Sequence, residues 1–351
     1  MDWFASRILK WARTNGRTHL PWQSNRTPYR VWVAEVMLQQ TQATTVVAHY
    51  DRFLKRFPTV QALANSTEND VLHAWTGLGY YRRARNMHKA ARQIVDRFSG
   101  TIPPSLEDLC SLPGIGRSTA GAILSCAFAV SAPILDANVR RILARFHAVN
   151  GPAESRIADS RLWDLAIQHT PSSDSRQYTQ AIMDFGTKQC VRSNPNCDIC
   201  PLRIRCKAHL HGEVHLYPRR SSSKAVEVTK RPLIILDASG SCLLQQRGES
   251  GMYARLWEMP SLPENSSVET VLAKLELPLE CVQIRKGPII DPYTISNQRV
   301  TEDSTLARYS VEASTIGSPR NTRWYKNDSQ TPLGMSVKTK KRIDLAKGIV
   351  E

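Results

Sequence analysis

"LPGIGRSTAGAIL", residues 112–124, decides how the first half of the chain is read. Gly114 and Gly116 bracket Ile115, and an alanine-rich run follows. Glycine adopts backbone angles that other residues avoid, so the chain can turn sharply here before a new helix. The amides of the turn and of that helix's first residues then face outward. They make an anion site that needs no side-chain charge and suits a DNA phosphate. Just upstream, after Pro103-Pro104, "SLEDLCSL" (105–112) has helical spacing. Helix, glycine turn and helix together predict a helix-hairpin-helix over residues 105–130, with Leu112 before the turn and Ser118 where the second helix begins.

The rest of the first half reads as helix. Apolar residues recur at helical spacing from Val31 to Phe57, after Pro28. Residues 80–98 pair a basic face with Ile94, Val95 and Phe98, and further helices are expected at 137–147, 156–168 and 174–190. The texture changes at "YPRRSSSKAVEVTK" (217–230), a Ser-rich basic linker. Beyond it, "RPLIILDASGSCLLQQR" (231–247) reads as a hairpin turning near Ala238-Ser239-Gly240. A helix at 268–277 and strands at 281–290, 304–313 and 321–326 follow. The expected class is α+β: an all-α domain over 1–212, a linker over 213–228 and a smaller α/β domain over 229–346.

Lys and Arg number 47 against 31 Asp and Glu, a net charge of +16 that suits a polyanionic partner. The start, "MDWFASRILKWARTNGR", carries Asp2 and basic residues within an apolar-faced helix, so it does not read as a signal peptide. No apolar run approaches the roughly 18 residues of a membrane span. The expectation is a soluble cytoplasmic monomer without a membrane partner.

In a reducing cell, cysteines serve cores, catalysis or metals more than disulfides. "CVRSNPNCDICPLRIRC" sets Cys190, Cys197, Cys200 and Cys206 at intervals of six, two and five residues, half of the chain's eight cysteines. That spacing leaves a structural zinc, chance clustering and an iron–sulfur cluster open. In "PILDANVRRIL" (133–143), Asp136 precedes a helix with Asn138 in reach. Asp is a good helix N-cap. Near a phosphate-holding turn, the same position also sets a carboxylate at the mouth of a DNA site.

Hairpin, Asp136 and four-cysteine loop, in this order, resemble the endonuclease III superfamily of DNA base-excision glycosylases. "LPW" (20–22), "EVMLQQTQ" (35–42), "WTGLGYYRRARN" (75–86) and "LPGIGRSTAGAI" (112–123) resemble its adenine-removing branch, covering most of residues 1–212. The resemblance implies one [4Fe–4S] cluster on the four cysteines and a C-terminal MutT-like, Nudix-fold domain, which "GMYARLWEMP" (251–260) fits by texture. It also implies a double-stranded DNA substrate with adenine opposite 8-oxoguanine or guanine, and hence association with the nucleoid.

The chemistry follows from charge. Breaking a purine N-glycosidic bond leaves positive charge on the sugar and negative charge on the base. One protonated and one ionised carboxyl can serve both. Glu35 lies among Val33, Ala34, Val36 and Met37, where burial would raise its pKa. The resemblance assigns Glu35 to protonating adenine and activating water, Asp136 to stabilising the sugar cation, and Asn138 to supporting them. It gives Gln39 and Tyr80 as groups inserted into the base stack. Around the extruded adenine it gives Trp22, Leu38 and Gln180, and on the DNA backbone Leu112, Gly114, Gly116 and Ser118.

In the endonuclease III branch a lysine stands at the position of Ser118 and forms a Schiff base. Serine cannot, so the expectation is a monofunctional glycosylase that leaves an abasic site. A bifunctional glycosylase/lyase is the near alternative, and a non-catalytic DNA-binding module or a Nudix hydrolase are the remoter ones. The last lacks its Glu-rich metal helix here. Two departures from the family stand out. Ile295-Ser296-Asn297 occupies the place of a Phe-Ser-His lesion-reading loop, and Ala137 the place of a glycine.

Overall fold

The computed structural model describes residues 2–151, 155–219, 225–317, 319, 321–326 and 332–349. Packing divides the chain into two units. One holds residues 1–65 and 86–222, the other 66–85 and 223–351.

The helices of the first half are α1 (Trp3–Asn15), α2 (Pro21–Ser24), α3 (Pro28–Leu38), α4 (Ala43–Arg56), α5 (Val60–Ala64), α6 (Glu68–Ala74) and α7 (Arg82–Phe98). Then come α8 (Leu106–Ser111), α9 (Arg117–Phe128), α10 (Ala137–His147), α11 (Arg156–His169), α12 (Ser175–Lys188) and α13 (Lys207–Leu210). Prolines open α2 and α3, where a missing N–H costs nothing. Side-chain oxygens of Asp2, Thr27, Ser105 and Asp136 cap α1, α3, α8 and α10.

The helical spacing read from Val31 to Phe57 is two helices. Gln39, Gln40, Thr41 and Gln42 break it, with Gln40 left-handed at φ 58°. Four successive polar residues have no apolar face to bury. In the first unit α12 is the hub, packing on α1, α9 and α10, while α3 packs on α9. Ile8, Ile142, Leu165, Ile182 and Phe185 fill that core. No described helix is long and apolar enough to cross a membrane.

The second unit holds β1 (Val226–Lys230), β2 (Leu233–Leu236), β3 (Cys242–Gln246), β4 (Trp257–Glu258) and α14 (Val268–Lys274). They are followed by β5 (Val282–Lys286), β6 (Tyr293–Ile295), β7 (Gln298–Glu302), β8 (Thr305–Tyr309), α15 (Ala313–Ile316), β9 (Thr322–Tyr325) and α16 (Val337–Gly348). One sheet runs β4-β3-β2-β8-β5, with β9 also paired to β3; a smaller one runs β1-β7-β6. The hairpin expected at 238–240 joins β2 and β3, whose register pairs Leu236 with Cys242.

β2, "LIIL", is central and apolar at every position because both its faces are covered. Leu233 and Ile235 pack toward Val271 and Leu272 of α14, while Ile234 and Leu236 pack toward Ile343 and Ala346 of α16. The expected linker is shorter than its sequence suggests. Residues 220–224 lie outside the described set, and Val226–Lys230 pairs in parallel with β7 as a strand. Residues 66–85, inside the stretch read as the first domain, pack with this second unit.

Candidate active site and DNA-binding elements

The hairpin forms as its sequence demands. Between α8 and α9, Leu112 is buried, its carbonyl accepts from Ile115 N, and Gly114 is left-handed at φ 81°. A Cβ on Gly114 would stand 2.8 Å from Asn86 Cβ, so the turn is closed to side chains twice over. Gly116 caps α9 with open space around it, leaving the helix start free for an anion. Ser118 does something its sequence did not disclose. Its hydroxyl accepts the N–H of Leu135 at 3.0 Å and so fixes the backbone just before Asp136.

Asp136 is both cap and candidate charge-stabilising carboxylate. Its Oδ1 accepts from Val139 N at 2.8 Å at the head of α10. Burial raises its pKa, while the amides of Val139 and Asn138 and the charge of Arg141 pull the other way. Asn138 is held by its neighbours. Its Oδ1 accepts from Arg141 at 2.9 Å, and its Cβ lies so near α12 that a Cβ on Gly186 would come within 2.6 Å. With that oxygen engaged, the Asn138 amide nitrogen serves Asp136, whose charged form it favours. Ala137 opens α10 and is exposed.

Glu35, on the face of α3 flanked by buried Ala34 and Val36, has its pKa pushed up to about 7. Burial is the larger cause and the charge of Asp136 the second, so the two carboxyls share one electrostatic neighbourhood. Amides and Arg141 stabilise the charge of Asp136 against the burial that raises its pKa, whereas burial and the Asp136 charge both disfavour ionised Glu35.

A cavity of about 600 Å³ opens beside α1 and α12, lined by Arg17, Gln23, Arg26, Gln180 and Asp184 among others. Gln180 Nε2 donates to Asp184 Oδ1 at 2.9 Å, and Asp184 also accepts from Arg17 N and Nε, each at 2.7 Å. A carboxylate only accepts, so Gln180 must turn its amide nitrogen to Asp184 and its carbonyl away. Arg17 and Asp184 were not singled out from sequence; a buried acid in "TQAIMDFG" was the signal. Trp22 is buried edge-on to Tyr50, with ring centroids 5.6 Å apart, and Leu38 closes α3 half-buried. Gln39 donates to Thr119 of α9 at 3.1 Å.

Tyr80 belongs to the second unit. It is 56% exposed and left-handed at φ 47°, after Gly77 and Gly79, which are also at positive φ. Such a conformation in an aromatic residue costs about 1–3 kcal/mol and persists where surroundings enforce it. Arg83 enforces it here: its Nη2 donates to the carbonyls of Leu78 and Gly79, and its guanidinium lies over the rings of Trp75 and Tyr80 at 5.4 and 5.5 Å. Ser296 and Asn297 form the exposed tip of the β6–β7 hairpin, with Ser296 at φ 55° and Asn297 O accepting from Val226 N.

The four cysteines of 190–206 line one small cavity, with Phe185, Leu202 and Arg145. Arg145, buried, braces the loop. It donates to Cys190 Sγ at 3.4 Å and to the carbonyls of Val191, Arg192 and Tyr217. Burial raises the thiols of Cys197, Cys200 and Cys206, and their mutual repulsion adds to it. Among the described residues, no three His, Cys, Asp or Glu side chains gather about a single ion. All four cysteines border that cavity beside the Arg145 guanidinium. Arg141 links this loop to the carboxyls, since its Nε donates to Cys190 O and its Nη2 to Asn138 Oδ1.

Residues 33–166 match the family model of the HhH-GPD superfamily base excision DNA repair protein. The adenine DNA glycosylase of Buchnera aphidicola subsp. Baizongia pistaciae is 36% identical over 282 residues, 80% of each chain. That of Homo sapiens is 29% identical over 98% of this chain and 74% of its own length. Among solved structures, a thermostable thymine-DNA glycosylase is similar with a TM-score of 0.55, at 26% identity, over 59% of this chain and 95% of its own. The endonuclease III of a non-covalent DNA complex shares the fold of the helical part, with a TM-score of 0.51 at 22% identity over 60% of this chain and 95% of its own. The chain is an α+β multidomain protein and belongs to the adenine DNA glycosylases, base-excision repair enzymes of the HhH-GPD superfamily.

Proposed function

We propose that the enzyme hydrolyses the N-glycosidic bond of adenine facing 8-oxoguanine or guanine in duplex DNA, leaving an abasic site in an uncut strand. One observation carries this reading: Glu35 and Asp136 face one electrostatic neighbourhood, with Glu35 raised to about 7 and Asp136 furnished with charge-stabilising partners. Protonated Glu35 gives its proton to N7 of adenine as the bond to the sugar breaks, and the base leaves as neutral adenine. Ionised Asp136 sits against the sugar cation. The Glu35 carboxylate left behind takes a proton from water as its oxygen bonds to the sugar carbon, which restores the acid. Asn138, held by Arg141, orients and stabilises Asp136.

The base must leave the stack to be reached. Tyr80 and Gln39 fill the gap, the amides around Gly114 and Gly116 hold a phosphate with Leu112 buttressing the turn, and the extruded adenine meets Gln180, which borders the cavity beside α12; Glu35 and Asp136 are not among that cavity's lining residues. The outward carbonyl of Gln180 accepts from the adenine amino group, with Trp22 and Leu38 shaping the surroundings. Ser296 and Asn297 at the hairpin tip read the lesion. Asn297→Ala should then lower the preference for A·8-oxoguanine over A·G by several fold while sparing the rate on A·G. If Ser296→Ala and Asn297→Ala both discriminate like the native protein, the tip is not the reader.

Ser118 supplies a hydrogen-bond acceptor and no amine, so there is no group at this position to form a Schiff base. Incubation with abasic product and borohydride should give no covalent complex, and the strand should break only on alkali or heat. Robust trapping would place the enzyme among the lyases.

Cys190, Cys197, Cys200 and Cys206 hold one [4Fe–4S] cluster. Four thiols on one cavity wall, with the Arg145 guanidinium donating to a sulfur, fit such a group. Holding it would tie Cys190, just after α12, to Cys197, Cys200 and Cys206 of the loop. Anaerobically purified protein should contain about four irons per chain, and Cys200→Ser should lose them. Stoichiometric zinc would overturn this assignment.

A further inference from the structure

Pro332–Met335 is a four-residue segment whose backbone is read at every carbonyl. Asn69 Nδ2 donates to Pro332 O at 2.5 Å, and Asn69 Oδ1 accepts from Gly334 N at 3.0 Å. His73 Nδ1 lies 3.2 Å from Leu333 O. The hydroxyls of Thr76 and Tyr81 both donate to Met335 O, at 3.3 and 3.0 Å. The remaining carbonyl, of Gly334, accepts from Trp257 N of β4 at 2.9 Å. The side chains of Leu333 and Met335 point the other way, into the sheet core with Leu236, Leu244 and Ile343. Gly334 is also sterically required, because a Cβ there would stand 2.5 Å from Leu72 Cβ.

Apart from Trp257, the groups that read this segment lie on the stretch 69–81 that carries Tyr80. Asn69 and His73 lie on α6, and Thr76 and Tyr81 bracket the left-handed turn over residues 77–80. A residue held at positive φ persists there only where the surrounding structure over-determines it. Arg83 fixes the turn from within, and Pro332–Met335 ties its two ends to the sheet.

We propose that Pro332–Met335 is a strut that sets the direction of Tyr80, making Asn69 and Gly334 positioning residues for the step that opens the base stack. This rests on the reading of Tyr80 as the inserted group. The β-rich unit then contributes to mismatch processing in two ways, through the lesion-reading tip and through the pose of Tyr80. Deleting residues 223–351 removes both together, so truncation alone cannot separate them.

The test uses the full-length protein and a duplex with 2-aminopurine next to the mismatch, whose fluorescence rises on unstacking. Asn69→Ala removes two hydrogen bonds and should lower affinity for the mismatch roughly tenfold, with a smaller fluorescence rise. Gly334→Ala should do the same. Should it fold poorly, Tyr81→Phe keeps the ring, loses the bond to Met335 with the hydroxyl's contacts to the Gly77 backbone and Thr76, and should shift both readouts less, in the same direction. In a Tyr80→Ala background, Asn69→Ala should add nothing, because its effect passes through that ring. A duplex with adenine opposite a gap, already unstacked, should shrink the Asn69→Ala defect. If Tyr80→Ala weakens binding and unstacking while Asn69→Ala and Tyr81→Phe leave both as in the native protein, the strut is refuted and the reading of Tyr80 stands. If Tyr80→Ala itself changes nothing, that reading fails and the strut with it. Additive effects of Tyr80→Ala and Asn69→Ala would also refute the strut.

Discussion

Glu35→Gln will slow adenine release by on the order of 10²–10⁴-fold, the range that a positioned acid contributes. Gln matches Glu in shape but carries no transferable proton. DNA binding will persist, because the hairpin and the Tyr80 turn are untouched. The fold gives a second, independent sign. A carboxyl whose folded pKa is raised to about 7 from 4.5 binds its proton more tightly in the folded state. Stability is therefore lost as pH rises between those values. Gln carries no such cost, so Glu35→Gln should melt at the same temperature as the native protein or higher near pH 8. Inactivity with raised stability separates a chemical role from a structural one. The native single-turnover rate should also fall as pH rises through about 7, where the acid form of Glu35 is lost, and Glu35→Gln should lack that fall. A Gln variant within tenfold of native would remove Glu35 from the chemistry.

Asp136→Asn is the second large effect. The cap on α10 needs an oxygen to accept from Val139 N, and Asn supplies one about as well as Asp. The helix should stay formed while the negative charge beside the sugar cation vanishes. A preorganised electrostatic contact of this kind is worth on the order of 10²–10³ in rate. Single-turnover release will therefore drop by that factor, with the far-ultraviolet circular dichroism unchanged. A native-like rate would leave Asp136 as a cap alone.

The elements that carry this chemistry were legible to different degrees, for physical reasons. The hairpin could be read because its glycines answer a local backbone demand: Gly114 is left-handed, and Gly116 caps α9 in open space. The cysteines could be read as a set because they sit within one short loop. The raised pKa of Glu35 could be read because its sequence neighbours are apolar, and the helix cap of Asp136 because Asp is a good N-cap. What stayed hidden depends on partners far apart in sequence. Asp184 needs Arg17, Arg145 needs the carbonyls of 191, 192 and 217, and Ser118 needs Leu135 N. The packing of residues 66–85 against 332–335 was hidden for the same reason, since neither stretch carries any mark of the other. The break at 39–42 was visible in principle. Four polar residues in a row interrupt an apolar stripe, but the spacing resumes in phase closely enough to read through it.

The most direct measurement is the identity of the released base, under single-turnover conditions, from duplexes with adenine opposite 8-oxoguanine, guanine, cytosine or thymine. Free adenine should appear rapidly from the first, more slowly from the second and barely from the others, and every strand should remain intact until alkali is added. Release of a pyrimidine, strand cleavage without alkali, or no adenine from any duplex would contradict the account.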